Sequence, residues 1–145
     1  MYFPYHGRKL SILFICIGNA HRSQLGEAFA RHYGWDVFHN VHSAGTIPFS
    51  GDKWGSHYFR VAASEAKHKG MNLDWQYPKN LNTVYGHFDI VILMGKDVHV
   101  QHYPITYSHL EHWDIKRYDT RRHITNNIQD GVLNLIWRIK NGQYR

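Results

Sequence analysis

Leu10 to Cys16 is an almost unbroken apolar run, rich in β-branched and aromatic side chains. A run of that length and composition fits a strand buried on both faces better than one with a wet side. Gly18-Asn19 interrupts it. Leu25, Ala28, Phe29 and His32 then recur at i, i+3, i+4 and i+7, one stripe of a helix that Gly34 is placed to stop. Alternation from Val37 to Ser43 predicts a second strand, and Ala44-Gly45-Thr46 a turn after it. Tyr58 to Lys69 holds good helix formers before Gly70. Phe88 to Met94 reads as a third buried strand, and Ile124, Ile128, Val132, Leu135 and Ile139 step through a long helix near the end. Ser108 to Leu110 and the stretch beyond fit neither period.

Strands alternating with helices imply an α/β fold with a parallel sheet covered on both faces, where ligands sit at the carboxyl ends of the strands. Cys16 is at such an end. No repeat, low-complexity tract or linker divides the chain, so one domain over 1–145 is expected. No apolar run approaches the ~18 residues of a membrane span, and the first residues lack the order of a signal peptide. The expected location is the cytoplasm, with no membrane partner.

Charge alters this little. Seventeen Lys and Arg against 11 Asp and Glu give +6 with histidine neutral, without a long basic run. A solvated basic surface accounts for it, and no nucleic-acid partner is expected. Thirteen histidines invite a metal, but His39 with His42, or His99 with His102, lack a carboxylate at metalloenzyme spacing. Surface or structural histidine is the expectation, with no metal and no cofactor.

The sequence has one cysteine, which excludes an internal disulfide and a cysteine-based zinc site. A lone cysteine is usually a small buried hydrophobe, so its neighbours must carry any functional claim. They do. Cys16-Ile17-Gly18-Asn19-Ala20-His21-Arg22-Ser23 lies between a strand and a helix. Backbone N–H groups of a tight loop can converge on an anion, and a helix N-terminus favours one. Gly18 would permit the tight turn. Arg22 offers a planar fork matching two phosphate oxygens. The same positive field, with a hydrogen bond from Ser23, favours Cys16 as thiolate. A thiolate facing bound phosphorus can attack it in line.

Ile12 to Arg31 resembles the opening of the low-molecular-weight protein tyrosine phosphatases and the related arsenate reductases: an apolar strand, Cys-x-Gly-Asn-x-x-Arg-Ser, then a helix with Glu27-Ala28. Ser43-Ala44-Gly45-Thr46, His68 to Asn72, and Phe88 to Met94 resemble later segments of that superfamily in order. The resemblance implies a three-layer, four-stranded parallel sheet flanked by helices. It implies Cys16 as nucleophile, Arg22 as phosphate clamp and Ile17 to Ser23 as the cradle. Asn19 is then a brace of the loop, with Ser43 in a supporting network around it.

The branch is less direct. Gln24, Glu27, Phe29 and Arg31 look like the reductases, whose thioredoxin-coupled members need two more cysteines just after the third strand. Met94 stands there and matches the phosphatases, whose second loop cysteine is His21 here. The superfamily's acid is an Asp before Pro; no Asp-Pro occurs in this chain. His112-Trp113-Asp114 resembles the start of that loop. Ungapped alignment on Trp113 puts Arg117 and Tyr118 at the Asp and Pro, leaving Asp119 as the chosen acid and Asp114 as its rival. Gln76 falls where the superfamily often has His. Trp54, Trp75 and Trp113 could wall a cleft, though packing roles are commoner, and Asp89 reads as structural.

The expectation is hydrolysis of an aryl phosphate or phosphorylated protein through a thiophosphate on Cys16. Arsenate reduction with an external thiol or glutaredoxin-type partner is the alternative. A phosphate- or phosphotyrosine-binding module with little catalysis is the third.

Overall fold

The computed structural model describes residues 5–47, 53–116 and 118–144, and the side chains of 53–56 lie outside that description. Four strands, β1 (Leu10–Cys16), β2 (Phe38–Gly45), β3 (Gly86–Met94) and β4 (Ile105–Trp113), form one sheet in the order β2-β1-β3-β4, and every pairing is parallel. The helices are α1 (Arg22–Tyr33), α2 (Lys53–His68) and α3 (Arg121–Lys140). From β1 the chain goes to β2 on one side, then returns to β3 on the other. The order therefore reverses at the carboxyl end of β1, where an open α/β sheet leaves a crevice. Cys16 is the last residue of β1.

All seven residues of β1 are buried, which accounts for its continuous apolarity. Its even-numbered side chains, Ile12, Phe14 and Cys16, join one core with residues of α1, α2 and α3, among them Leu25, Phe29, Ala62, Ala66, Ile128 and Leu135. Leu13 and Ile15 join a second core, closed by Leu81 of a 3-10 helix (Leu81–Thr83) and by Val98, Val100 and Ile105. One face of the sheet is thus covered by the three helices, the other by a single 3-10 turn and the segment around 98–105.

The expected β2, β3, α1 and α3 all form, and α2 begins earlier than the pattern indicated. The undecided stretch around Ser108 is β4. It lies at the sheet edge, and positions 106–110 are exposed, so no apolar period marks it. Asp89 accepts the Ser11 N–H at 2.8 Å and pairs with Arg8 at 3.1 Å, tying β3 to β1. Burial alone would raise its carboxyl pKa, but the bonds from Arg8 and Ser11 outweigh that and lower it. Among the described residues no helix is long and apolar enough to cross a membrane.

Candidate active site

Between Cys16 and α1 the backbone turns through Asn19, the one non-glycine residue with positive φ (48°) among those described. Gly18 was expected to permit the tight turn; the left-handed step is taken by Asn19, whose short amide side chain is among those that tolerate it. The α1 helix starts at Arg22. Its first intrahelical bond is Leu25 N–H to the His21 carbonyl at 3.0 Å, and its N-cap His21 gives no side-chain cap. The N–H groups of Arg22, Ser23 and Gln24 therefore have no acceptor within the helix. They point where the dipole favours an anion.

The sulfur of Cys16 lies 2.9 Å from Ser23 Oγ and 3.2 Å from the Asn19 N–H that donates to it. The direction of the first bond follows from a chain of donors. The backbone N–H of Lys79, which can only donate, meets Asn19 Oδ1 at 2.7 Å. That fixes Asn19 Nδ2 as the atom 2.7 Å from Ser23 Oγ. Ser23 accepts there, so its own proton is left for the sulfur. Two donors on one sulfur is an arrangement that a thiolate fills better than a thiol.

Arg22 is 6% exposed, and its Nη1 donates to the Ile115 carbonyl at 2.9 Å. Gly95, at φ 129°, lies against that guanidinium, and a Cβ there would collide with Nη1. Gly45 has a similar duty under the loop: a Cβ would come within 2.6 Å of the Ile17 carbonyl oxygen and 2.9 Å of the Asn19 nitrogen. Ser43 is linked to Asn19 through a network of bonds by way of Glu27 and Lys79. It donates to Glu27, which also pairs with Arg31 at 2.8 Å and with the Lys79 ammonium at 3.7 Å. Lys79 thus links this buried carboxylate to the loop through its backbone.

A cleft of about 170 Å³ opens over the cradle, lined by Cys16, Ile17, Gly18, Ala20, His21 and Arg22. Its outer walls are Tyr58 of α2 and Tyr118. A larger depression of about 590 Å³ lies at the amino end of β1, against Tyr5, Arg8 and Lys140. Its cations are already paired with Asp89 and Asp36, and it holds no cysteine, so the smaller cleft is the candidate site.

The tyrosines were not foreseen, because nothing local marks a wall residue. Of the tryptophans weighed as cleft walls, Trp113 takes the commoner packing role, edge-on against Phe14 with ring centroids 6.0 Å apart, and Trp75 is 92% exposed. Trp54's side chain and Arg117 lie outside the described residues. His39 is exposed on β2, and His42 lies edge-on against Phe88 with ring centroids 6.1 Å apart. Among the described residues no group of three His, Cys, Asp or Glu could hold a metal.

Asp119 is not brought to the cleft. It lines a neighbouring depression with Arg22, Asp114 and Tyr118, while no carboxylate among the described residues lines the cleft over Cys16. Its Oδ1 accepts the Thr120 N–H at 2.8 Å, and its Oδ2 pairs with His123 Nδ1 at 2.8 Å. Those two contacts hold its carboxyl below the usual range, the opposite of what a proton donor near neutral pH requires. Asp114 is half exposed, 3.9 Å from the Lys96 ammonium.

His21 takes its place in the wall without a partner for Nε2, which is fully enclosed. Burial, and then the charge of Arg22, push its pKa down to about 4, with Glu65 acting weakly the other way. The imidazole is therefore neutral in the fold. An unfolded chain would protonate it near pH 6.5, so folding stability is complete above that pH. It falls as the pH drops from 6.5 toward 4 and levels off below. Half-buried His42 shifts the same way, chiefly by burial. Urea midpoints measured from pH 7.5 to 4 should decline, and His21→Gln should flatten the decline. An unchanged slope in that variant would show that His21 is not the buried neutral group described here.

Residues 11–131 match the family described as low molecular weight phosphotyrosine protein phosphatase. Among solved structures the chain is similar to a thioredoxin-dependent arsenate reductase of Corynebacterium glutamicum. The identity is 26% and the TM-score 0.68 over 94% of this chain, which spans 64% of that protein's length. It is also similar to an arsenate reductase in its phosphate-binding state (22% identity, TM-score 0.69, 91% of this chain and 99% of that one). A third likeness is to the tyrosine phosphatase Wzb of Escherichia coli K30 in complex with sulphate (16% identity, TM-score 0.62, 91% and 99%). The last two likenesses are of fold alone. The family match takes in β1 from Ser11, the loop after Cys16, the other three strands and the first half of α3, and the chain belongs to the low molecular weight phosphotyrosine protein phosphatase family.

Proposed function

We propose that this protein hydrolyses phosphate monoesters, aryl phosphates foremost, through a thiophosphate on Cys16. The observation that carries this reading is the Cys16 sulfur, which accepts two hydrogen bonds at the floor of a cleft rimmed by Arg22 and a helix N-terminus. Phosphate oxygens would take the free N–H groups of the loop and of the first turn of α1. Arg22, anchored through one N–H by Ile115, keeps its others for two equatorial oxygens. The thiolate attacks phosphorus opposite the leaving oxygen, giving a covalent thiophosphate that water then cleaves. Tyr58 and Tyr118 offer planar walls for an aryl group.

The leaving oxygen needs a proton, and Asp119 is engaged elsewhere and held ionised. We therefore read the reaction as one that discriminates by leaving group. Para-nitrophenyl phosphate should turn over without metal. Phenyl phosphate, a poorer leaving group, should lag it by roughly the 10²–10⁴-fold that a positioned acid supplies. Hydrolysis of neither ester would overturn the reading, and equal kcat/KM values, which report the first step and not the cleavage of the shared thiophosphate, would show that an acid is in place.

A second reading is arsenate reduction, favoured by the 26% identity over 94% of this chain and by Gln24. Cys16 would displace hydroxide from arsenate to form an S–As bond. An external thiol would then attack the Cys16 sulfur, so that arsenic leaves as arsenite and a mixed disulfide remains. A second external thiol would restore Cys16. Arsenate-dependent oxidation of glutathione or a glutaredoxin-type partner is its expected sign. No oxidation with any such thiol, beside sound ester hydrolysis, would remove it. The third possibility, an anion-binding module, predicts tight phosphate binding in calorimetry with no turnover of either substrate.

A further inference from the structure

Gln76 lies on the segment between α2 and the 3-10 helix, 52 positions beyond Gln24 and outside the cleft. Its Nε2 donates to two oxygens of Gln24, the carbonyl at 2.9 Å and Oε1 at 2.7 Å. Gln24 is fully buried. Its Nε2 in turn donates to the Asn19 carbonyl at 2.9 Å and to Asn19 Oδ1 at 3.3 Å. Asn19 passes the pattern to Ser23, and Ser23 to Cys16. We propose that Gln76 is a positioning residue for the nucleophile: through Gln24 and Asn19 it fixes the direction in which the Ser23 hydroxyl points. For turnover this rests on the phosphatase reading above; for the reactivity of Cys16 it stands alone.

The polarity of the relay is set by groups that cannot change role. The Gln24 and Asn19 carbonyls only accept, and the Lys79 N–H only donates. Between them each amide has one satisfactory orientation: Gln76 presents its NH2, Gln24 its Oε1 to Gln76 and its NH2 to Asn19, and Asn19 its NH2 to Ser23. The Ser23 proton then has the sulfur as its acceptor. Gln76 and Lys79 belong to the same short segment, so the contact that docks Gln76 on Gln24 also holds the Lys79 N–H on Asn19. Buried polar groups in such a chain are costly to leave unmatched. A carboxylate at position 76 would face two acceptors with an acceptor. The segment then lifts and takes the Lys79 N–H off Asn19 Oδ1, and Asn19 can present Oδ1 to Ser23 and draw its proton away from the sulfur.

The test follows alkylation of Cys16 by iodoacetate, read by mass, from pH 5 to 8 in the full chain, beside para-nitrophenyl phosphate turnover and thermal melting. Gln76→Glu should slow alkylation at pH 7 by roughly ten- to a hundredfold, the worth of one hydrogen bond to a charged group. Its rate relative to wild type should recover as the pH falls toward 5 and the new carboxyl gains a proton to donate. Gln76→Lys, which can only donate, should stay closer to wild type than Gln76→Leu, and this pair answers the question if Gln76→Glu fails to fold. A merely structural role would lower the melting temperature of all three variants with no ordering by donor capacity and no pH-dependent ratio; that result overturns the proposal. Alkylation ordered as expected in a protein that hydrolyses no ester would overturn the phosphatase reading and leave the role of Gln76 supported.

Discussion

Cys16→Ser should lower turnover of para-nitrophenyl phosphate by on the order of 10⁴-fold or more, since removing a nucleophile collapses the concerted work of the residues around it. A serine hydroxyl is a far weaker nucleophile than a thiolate, and the two donors that suit a charged sulfur would meet a neutral oxygen. No strong base stands ready to deprotonate it among the described lining: His21 is neutral, but its pKa is pushed down to about 4 and its Nε2 is enclosed, and beside it stand Arg22 and two tyrosines. The anion site should survive, because it is made of main-chain N–H groups and Arg22. Calorimetry with inorganic phosphate should therefore show binding by the variant. Turnover that persists in Cys16→Ser would remove the covalent mechanism altogether.

Arg22→Lys is the other substitution with a large expected effect, roughly 10²–10³-fold in kcat/KM, comparable to losing a preorganised donor to a transition-state oxyanion. The charge is kept, but the planar fork is not. Arg22 works from a slot that is 6% exposed, one N–H on Ile115 and its face near Gly95. An ammonium in that slot must choose between the Ile115 carbonyl and the anion, and its burial away from both is costly. Phosphate affinity should fall with kcat/KM. Wild-type values for both would remove Arg22 from the anion site.

These expectations lean on a part of the molecule that was legible in the sequence. The apolar run into Cys16, the Gly-Asn break and the helical stripe after it are local signals, each set by residues within a few positions of one another, and they place the loop after Cys16 between β1 and α1, as the structure has it. The rest depends on distance. β4 escaped because an exposed edge strand has no inner face to impose alternation. Gln76 could be noticed only as a residue that is not His. That its amide meets Gln24 is a fact of how the 76–79 segment docks, which no periodicity records. That Asn19 and not Gly18 takes the left-handed step has a similar origin. Composition suggested the residue with no side chain, whereas the fold uses the one whose side chain also has bonds to make. Asp119 was chosen for its place in sequence, and the start of α3 turned its carboxylate toward Thr120 and His123.

Asn19 is asked for two things that seldom coincide in one residue. The backbone at φ 48° is easiest for glycine, and the side chain must offer an oxygen on one side and an NH2 on the other. Glycine would relax the loop and abandon Lys79 and Ser23. Aspartate would tolerate the backbone but bring oxygen to both, and glutamine carries its amide too far along. Position 19 therefore has almost no neutral neighbourhood in sequence space. Drift elsewhere in the chain can be absorbed gradually, but a change at this residue disturbs the setting of the Cys16 sulfur in one step.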